Sequence, residues 1–270
     1  MIDSFPILLA NLVVSAACFA ALWLISIPLK DPSYVDSWWG AGVVVLAWST
    51  YVQVETPGPH ATALLLLATA WGLRLAIYLF WRWRTGGVDR RYAKLAERAQ
   101  KKHGLNFAMF SLLWVFAPQL ALQFVMSLPA QLGQIPQATN FGALAHIGLW
   151  LAIFGIVYET IADAQLAHFK SQSENAGKVM NRGLWRYSRH PNYFGELCCW
   201  WGLWLIALDA GAGLFSLPGL VLVSVLLTRV SGAPTTEPHL QRTRPDYEAY
   251  KQRTSSFIPL PPKADTSARP

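Results

Sequence analysis

Residues 61–83 read Ala61-Thr-Ala-Leu-Leu-Leu-Leu-Ala-Thr-Ala-Trp-Gly-Leu-Arg-Leu-Ala-Ile-Tyr-Leu-Phe-Trp-Arg-Trp83, an apolar run broken only by Arg74 and Arg82. A helix of about twenty residues crosses a hydrocarbon core of about 30 Å, so this run is long enough to span a bilayer. Residues 84–106, which follow it, carry Arg84, Arg90, Arg91, Lys94, Arg98, Lys101 and Lys102, whereas residues 55–60, which precede it, carry no Lys or Arg. An apolar segment with cations gathered at one end is the mark of an oriented membrane helix.

The pattern continues in both directions. Spans are predicted at 7–27, 38–54, 61–83, 107–128, 141–166, 194–210 and 213–231, most of them bounded by Pro, Gly or charge clusters. Of 270 residues, 53% are hydrophobic and 14% charged, too apolar a balance for an ordinary soluble domain. Loop 167–193 holds Lys170, Lys178, Arg182, Arg186 and Arg189, and the tail from 232 holds six more cations, while 129–140 and 209–213 hold none. This alternation predicts an all-α integral membrane protein of about seven transmembrane helices, N-terminus outside and C-terminus cytoplasmic.

The formal net charge of +7 therefore reads as topology and as affinity for membrane lipids or phosphate, not for nucleic acid. Residues 1–262 read as one seven-helix domain with cytoplasmic loops 84–106 and 167–193 and a tail, 232–262, folded back over the inner face; 263–270 are expected to be disordered. No Lys or Arg precedes the first apolar run, so 7–27 reads as a span rather than a cleaved secretory signal. Cys18, Cys198 and Cys199 lie inside apolar segments and read as small core residues, with no disulfide or metal implied.

Ionisable residues inside a bilayer cost about 2.5–3.5 kcal/mol or more each at the centre, so each is a candidate for function. The spans hold Arg74, Glu159, Asp163 and Glu196, with Asp36 and Glu55 at opposite ends of the second. Topology predicts Asp36, Tyr78, Arg74, the Glu159/Asp163 pair and Glu196 toward the cytoplasmic leaflet, and Glu55 toward the outer one. Glu159 and Asp163 are one helical turn apart on one face and would repel unless donors meet them. Two plainer readings stand beside these: Arg74 pairs with a carboxylate to fix helix packing, and Glu55 sits in interfacial water ahead of Pro57.

The most informative polar stretch is Asn181-Arg-Gly-Leu-Trp-Arg-Tyr-Ser-Arg-His-Pro-Asn-Tyr-Phe-Gly-Glu196. Its cations suit phosphates or lipid headgroups, Arg189 could hold a phosphate or carboxylate with two parallel bonds, and Asn192, Tyr193 and Glu196 offer directional hydrogen bonds at a helix start. The stretch resembles the signature of the steroid 5-alpha-reductase C-terminal family, in particular its bacterial branch of uncharacterised integral membrane proteins. Asp36-Ser-Trp-Trp-Gly40, Gly72-Leu-Arg-Leu75, Glu159 to Glu196 and Phe257-Ile-Pro259 carry the resemblance.

The resemblance implies an NADPH site held from the cytoplasmic side by Glu159, Asp163, Lys170, Lys178, Arg189, Asn192, Tyr193, Glu196 and His239, in a multi-pass protein of the bacterial inner membrane. It also implies an acid and a Tyr that polarise a substrate enone. Gln53-Val-Glu55 resembles the family's Gln-Glu pair but lies at the wrong depth, so the acid role falls to Asp36, with Tyr78 beside it. No Rossmann fingerprint is present, and Gly211-Ala-Gly213 lacks the preceding strand of a phosphate loop. The expected activity is NADPH-dependent reduction of a conjugated C=C bond in a lipophilic, steroid-like substrate. The alternative is an S-adenosylmethionine-dependent membrane methyltransferase, because Arg189-His-Pro-Asn-Tyr-Phe-Gly195 also resembles the motif of the isoprenylcysteine carboxyl methyltransferases.

Overall fold

The computed structural model describes residues 4–86, 90–230 and 232–263. Most of the expected disordered tail, 264–270, and the side chains of Arg90 and Arg91 lie outside the described residues. Every regular element described is helical.

Five helices are long and apolar enough to cross a membrane by length and composition: Ser4–Leu29, Pro59–Gly86, Phe107–Met126, Ala143–Ser171 and Gly213–Thr243. Only 17% to 33% of the most apolar window in each is buried inside the protein. Leu66, Ile77, Trp150 and Val157 are each more than half exposed. Apolar faces left open on this scale need a solvent other than water, which marks a multi-pass membrane protein.

The other two expected spans are shorter or more polar. Helix α2, Trp38–Tyr51, has 14 residues, about 21 Å of rise. It is preceded directly by a 3-10 turn, Ser33–Ser37. Helix α9, Pro191–Asp209, has 19 residues and opens on the polar Asn192, Tyr193 and Glu196.

The chain divides into two compact units, one of residues 1–147 with 203–220, the other of 148–202 with 221–270. In the first, α1 (Ser4–Leu29) and α3 (Pro59–Gly86) flank α2. A Cβ on Gly40 would lie 2.3 Å from the Gly72 carbonyl oxygen, and one on Gly72 would lie 2.5 Å from that of Gly40. Only glycine on both sides allows α2 and α3 to touch backbone to backbone, as membrane helices do where hydrophobic driving force is absent.

A buried amide network ties the same unit together. The Asn11 amide donates to Thr50 Oγ1 at 2.7 Å and to Gln131 Oε1 at 2.8 Å, and its oxygen accepts from Ser49 Oγ at 2.7 Å and Gln53 Nε2 at 3.1 Å. All four hydrogen-bonding positions of Asn11 are met, which is what allows it to be fully buried.

The segment read as an inner loop, 84–106, proves to contain helix α4, Arg90–His103. Tyr92, Ala96 and Ala99 fall at i, i+4 and i+7 and join a core of Phe19, Tyr34, Val35, Phe110 and Phe116, while Glu97 and Lys101 pair at 2.7 Å on the exposed side. Next come α5 (Phe107–Ser111), capped by the Asn106 side chain on Met109 N, and α6 (Ala117–Met126). A π-helical turn, Leu112–Phe116, joins them. Pro118 follows that turn and has no N–H to give the carbonyl one turn back, so the backbone widens there.

Candidate functional site

In the second unit, α8 (Ala143–Ser171) and α9 meet along small residues. A Cβ on Gly155 would lie 2.4 Å from Cys199 N, and one on Gly195 would lie 2.7 Å from Glu159 N. That approach sets the two acids of α8 against the first turn of α9. Glu159 and Asp163 are buried, at 2% and 6% exposure. The Asn192 side-chain amide donates to Asp163 Oδ1 at 3.2 Å, while its own oxygen, Oδ1, is buried with no hydrogen-bond partner among the described residues. Leaving such an acceptor unmet costs about 1–3 kcal/mol. The acceptor is open to a donor from water or a ligand.

The segment 183–190 is fastened at both ends. Trp185 Nε1 donates to Ala162 O at 3.0 Å and Gln165 Oε1 accepts from Leu184 N at 2.9 Å, which holds it to α8. Gly183 makes this turn with φ of +56°, a conformation that disfavours a side chain. From the other side comes the tail, built of α11 (Ala233–Thr243) and α12 (Tyr247–Arg253). Arg189 N donates to Ser255 O at 2.8 Å, Leu260 N to Tyr187 O at 3.0 Å, and Ser188 Oγ to Phe257 O at 2.7 Å. Tyr250 donates its hydroxyl to Trp185 O and Ser188 O. Burial pushes the Tyr250 hydroxyl up and takes Tyr247 to about 12, so both stay protonated.

Arg189 is turned inward onto this tail. Its Nε donates to Glu237 Oε1 at 2.9 Å and its Nη1 to Lys251 O at 3.0 Å and Thr254 O at 2.8 Å. The guanidinium is thus spent on the protein where the sequence suggested a grip on a ligand phosphate. His190 Nε2 shares Glu237 Oε1 at 3.1 Å, and its ring stacks on Tyr193 at 5.4 Å. Lys170, Lys178 and His239 are exposed. Tyr193 and Glu196 are half-buried on the first two turns of α9.

Burial pushes the His190 imidazole below its ordinary value, with Arg189 in the same direction and the hydrogen bond and charge of Glu237 opposing. Its neutral form, Nε2–H donating to Glu237, is the one the fold prefers. A group depressed on folding lends stability above its unfolded value, about 6.5, and that stability is lost as pH falls through the lower folded value. The melting temperature of the purified protein is therefore expected to hold from about pH 8 to 7 and fall below about pH 6. His190→Gln should flatten that fall; an unchanged profile would show that another group sets it.

In the first unit Asp36 closes the 3-10 turn ahead of α2. Tyr92 Oη donates to Asp36 Oδ1 at 2.6 Å, Gln119 Nε2 to Tyr92 Oη at 3.4 Å, and Trp39 Nε1 to Gln119 Oε1 at 2.9 Å. The donors align toward the carboxylate. Neither Tyr92 nor Gln119 is a residue the sequence singled out; Tyr92 sits in the segment read as a basic loop. Tyr78 is half-buried on α3, its ring 6.2 Å from Trp81. Gln53, of the competing Gln-x-Glu match, is held by Asn11 and by Ser49 O, and Glu55 is exposed beyond the end of α2.

Comparison with known proteins gives a family and two relatives. Residues 22–254 match the family of proteins of unknown function DUF1295. An uncharacterized protein of Schizosaccharomyces pombe is 25% identical over 270 aligned residues, covering 88% of this chain and 75% of that protein. The 3-oxo-5-alpha-steroid 4-dehydrogenase 1 of Rattus norvegicus is 30% identical over 117 residues, 43% of this chain and 41% of that enzyme. No solved structure matches the chain. With a match over most of its length, the chain belongs to the DUF1295 family, which is steroid 5-alpha-reductase-like.

Proposed function

We propose that the protein is a membrane reductase that uses NADPH to saturate a conjugated C=C bond in a lipophilic enone. The observation that carries this reading is the buried acceptor cluster of the second unit, Glu159, Asp163 and Asn192, with the Asn192 amide oxygen unmet. Carboxylate and amide oxygens suit the hydroxyls and carboxamide N–H of a dinucleotide, not its phosphates; the exposed Lys170 and Lys178 suit those. The relative named 3-oxo-5-alpha-steroid 4-dehydrogenase supports the reaction class.

A bound NADPH would supply the hydride. For their part, Glu159, Asp163, Asn192, Tyr193 and Glu196 would bind and orient the cofactor, and Arg189, through Glu237 and the tail, would hold the segment that carries Asn192. Asp36, which must be protonated for the role, and Tyr78 would donate hydrogen bonds to the substrate carbonyl oxygen as it gains enolate charge. We take His239 as an outer contact of the same cofactor.

Thermal denaturation of the detergent-purified chain with NADPH and, separately, with S-adenosylmethionine tests this reading. NADPH at a hundredfold over its Kd should raise the melting temperature by on the order of 5 °C. Asn192→Ala and Glu196→Gln should each weaken NADPH about tenfold, the loss of one good hydrogen bond, with little change in the unliganded melting temperature. Stabilisation by S-adenosylmethionine alone would move the chain to the methyltransferase class that its Arg-His-Pro motif also resembles.

We further propose seven crossings in a bacterial inner membrane, N-terminus outside. The rise of α2 with its lead-in turn, about 10 Å plus about 21 Å, reaches the thickness of a bilayer core. A fluorescent protein fused after Pro270 should then fold and fluoresce in the cytoplasm, and an alkaline phosphatase fusion there should be inactive. The opposite pair of results would reverse the orientation.

A further inference from the structure

We propose that a groove between α2 and α3 binds an anionic glycerophospholipid, with part of one acyl chain along the helices and the headgroup at Arg84. The groove holds about 490 Å³, and Ala41, Ala76, Ile77, Phe80, Trp81 and Arg84 line most of it. Its form follows from the sequence. The contact of Gly40 with Gly72 pins the two helices together, and Ala76, one turn on from Gly72, and Ala41, next to Gly40, leave a floor without bulk. Beyond them Trp38 and Trp81 stand as walls, and Arg84 lies at the mouth.

The lining selects the occupant. Ile77, Phe80 and Trp81 are 68%, 51% and 52% exposed, so the groove opens outward along α3, one of the five helices fit to span a membrane. From Ala76 to Arg84 the helix rises about 12 Å, room for the upper part of an acyl chain. Among the lining residues Arg84 bears the formal charge, and it sits in the last turn of α3, with indole rings beside it. Arg with Trp at the end of a span is how a helix meets the headgroup layer, and a guanidinium pairs with a phosphate by parallel bonds. A wholly apolar occupant would leave Arg84 without a counter-charge, and a zwitterionic lipid would bring its own cation to it. This site does not depend on the reductase reading.

The full chain in nanodiscs, mixed with either phosphatidylglycerol or phosphatidylcholine carrying a mid-chain diazirine, tests the assignment by photolabelling and peptide mass spectrometry. Phosphatidylglycerol should label the peptide holding Ala76 to Trp81 about fivefold more than phosphatidylcholine does, the ratio expected of one cation near the surface. It should also label that peptide above the one holding the exposed Leu9, Leu12 and Val13 of α1. Arg84→Gln should bring the phosphatidylglycerol signal down to the phosphatidylcholine level, and Ile77→Trp should reduce both by filling the groove. Equal labelling by the two lipids on the unaltered chain, or equal labelling of α1 and α3, would overturn the proposal.

Discussion

Replacing Arg189 by Met should destabilise the protein by about 3–5 kcal/mol, the cost of leaving a buried carboxylate without its cation. Arg189 and Glu237 keep only 10% and 15% of their side-chain surface exposed, at 2.9 Å from each other. The same guanidinium also carries the carbonyls of Lys251 and Thr254, so its loss strips three acceptors at once. Glu237 would be left with His190, which the fold prefers neutral. Arg189→Lys should rescue little, because an ammonium cannot present donors in two fixed directions. The double change Arg189→Met with Glu237→Leu should recover at least half the loss, since it removes the stranded charge as well. Limited proteolysis gives a second readout: the tail beyond residue 240 should be cut early in Arg189→Met and late in the double variant. A single variant within about 1 kcal/mol of the parent would show that the tail is held by its backbone contacts alone.

This staple also shows what the sequence could and could not tell. Period and length are local, so the apolar runs that became α1, α3 and α8 were legible; the need of the α8 acids for a donor was legible as well, but not that Asn192 supplies it to Asp163. Helix α4 was legible in principle: Tyr92, Ala96 and Ala99 keep a helical period, but seven cations in 84–106 drew attention to charge instead. Glu237 gave no signal, because its meaning lies 48 residues away at Arg189, and no spacing rule joins them. A cation in a basic loop reads as a ligand for phosphate until the fold brings an acid to it. The shortness of α2 was hidden for a different reason: Val52 and Val54 carry the apolar run on to 54, whereas the helix itself ends at Tyr51.

Asp36→Ala should lower turnover by about 10²–10³, as removal of one donor to a developing oxyanion does, while Glu55→Gln should change it less than about twofold. The geometry behind this order is simple: α2, about 21 Å long, stands between the two acids, and Glu55 is exposed at its far end. A Gln-x-Glu match would favour Glu55, yet Gln53 is already held by Asn11 and Ser49, inside a network that serves packing. Asp36 is instead the end of the aligned donors Trp39, Gln119 and Tyr92. That alignment gives the test a second arm. Tyr92→Phe removes the hydroxyl that holds Asp36 Oδ1 and keeps the ring, so it should cost about tenfold in kcat with KM little changed. NADPH consumption with a 3-oxo-4-ene steroid as the probe enone, by the purified chain, is the measurement. If Glu55→Gln proves the more damaging change, the acid sits at the other end of α2 and the depth assignment of Asp36 and Tyr78 fails with it. If Tyr92→Phe shifts stability but leaves kcat unchanged, Tyr92 holds α4 in place and does not position the carboxylate.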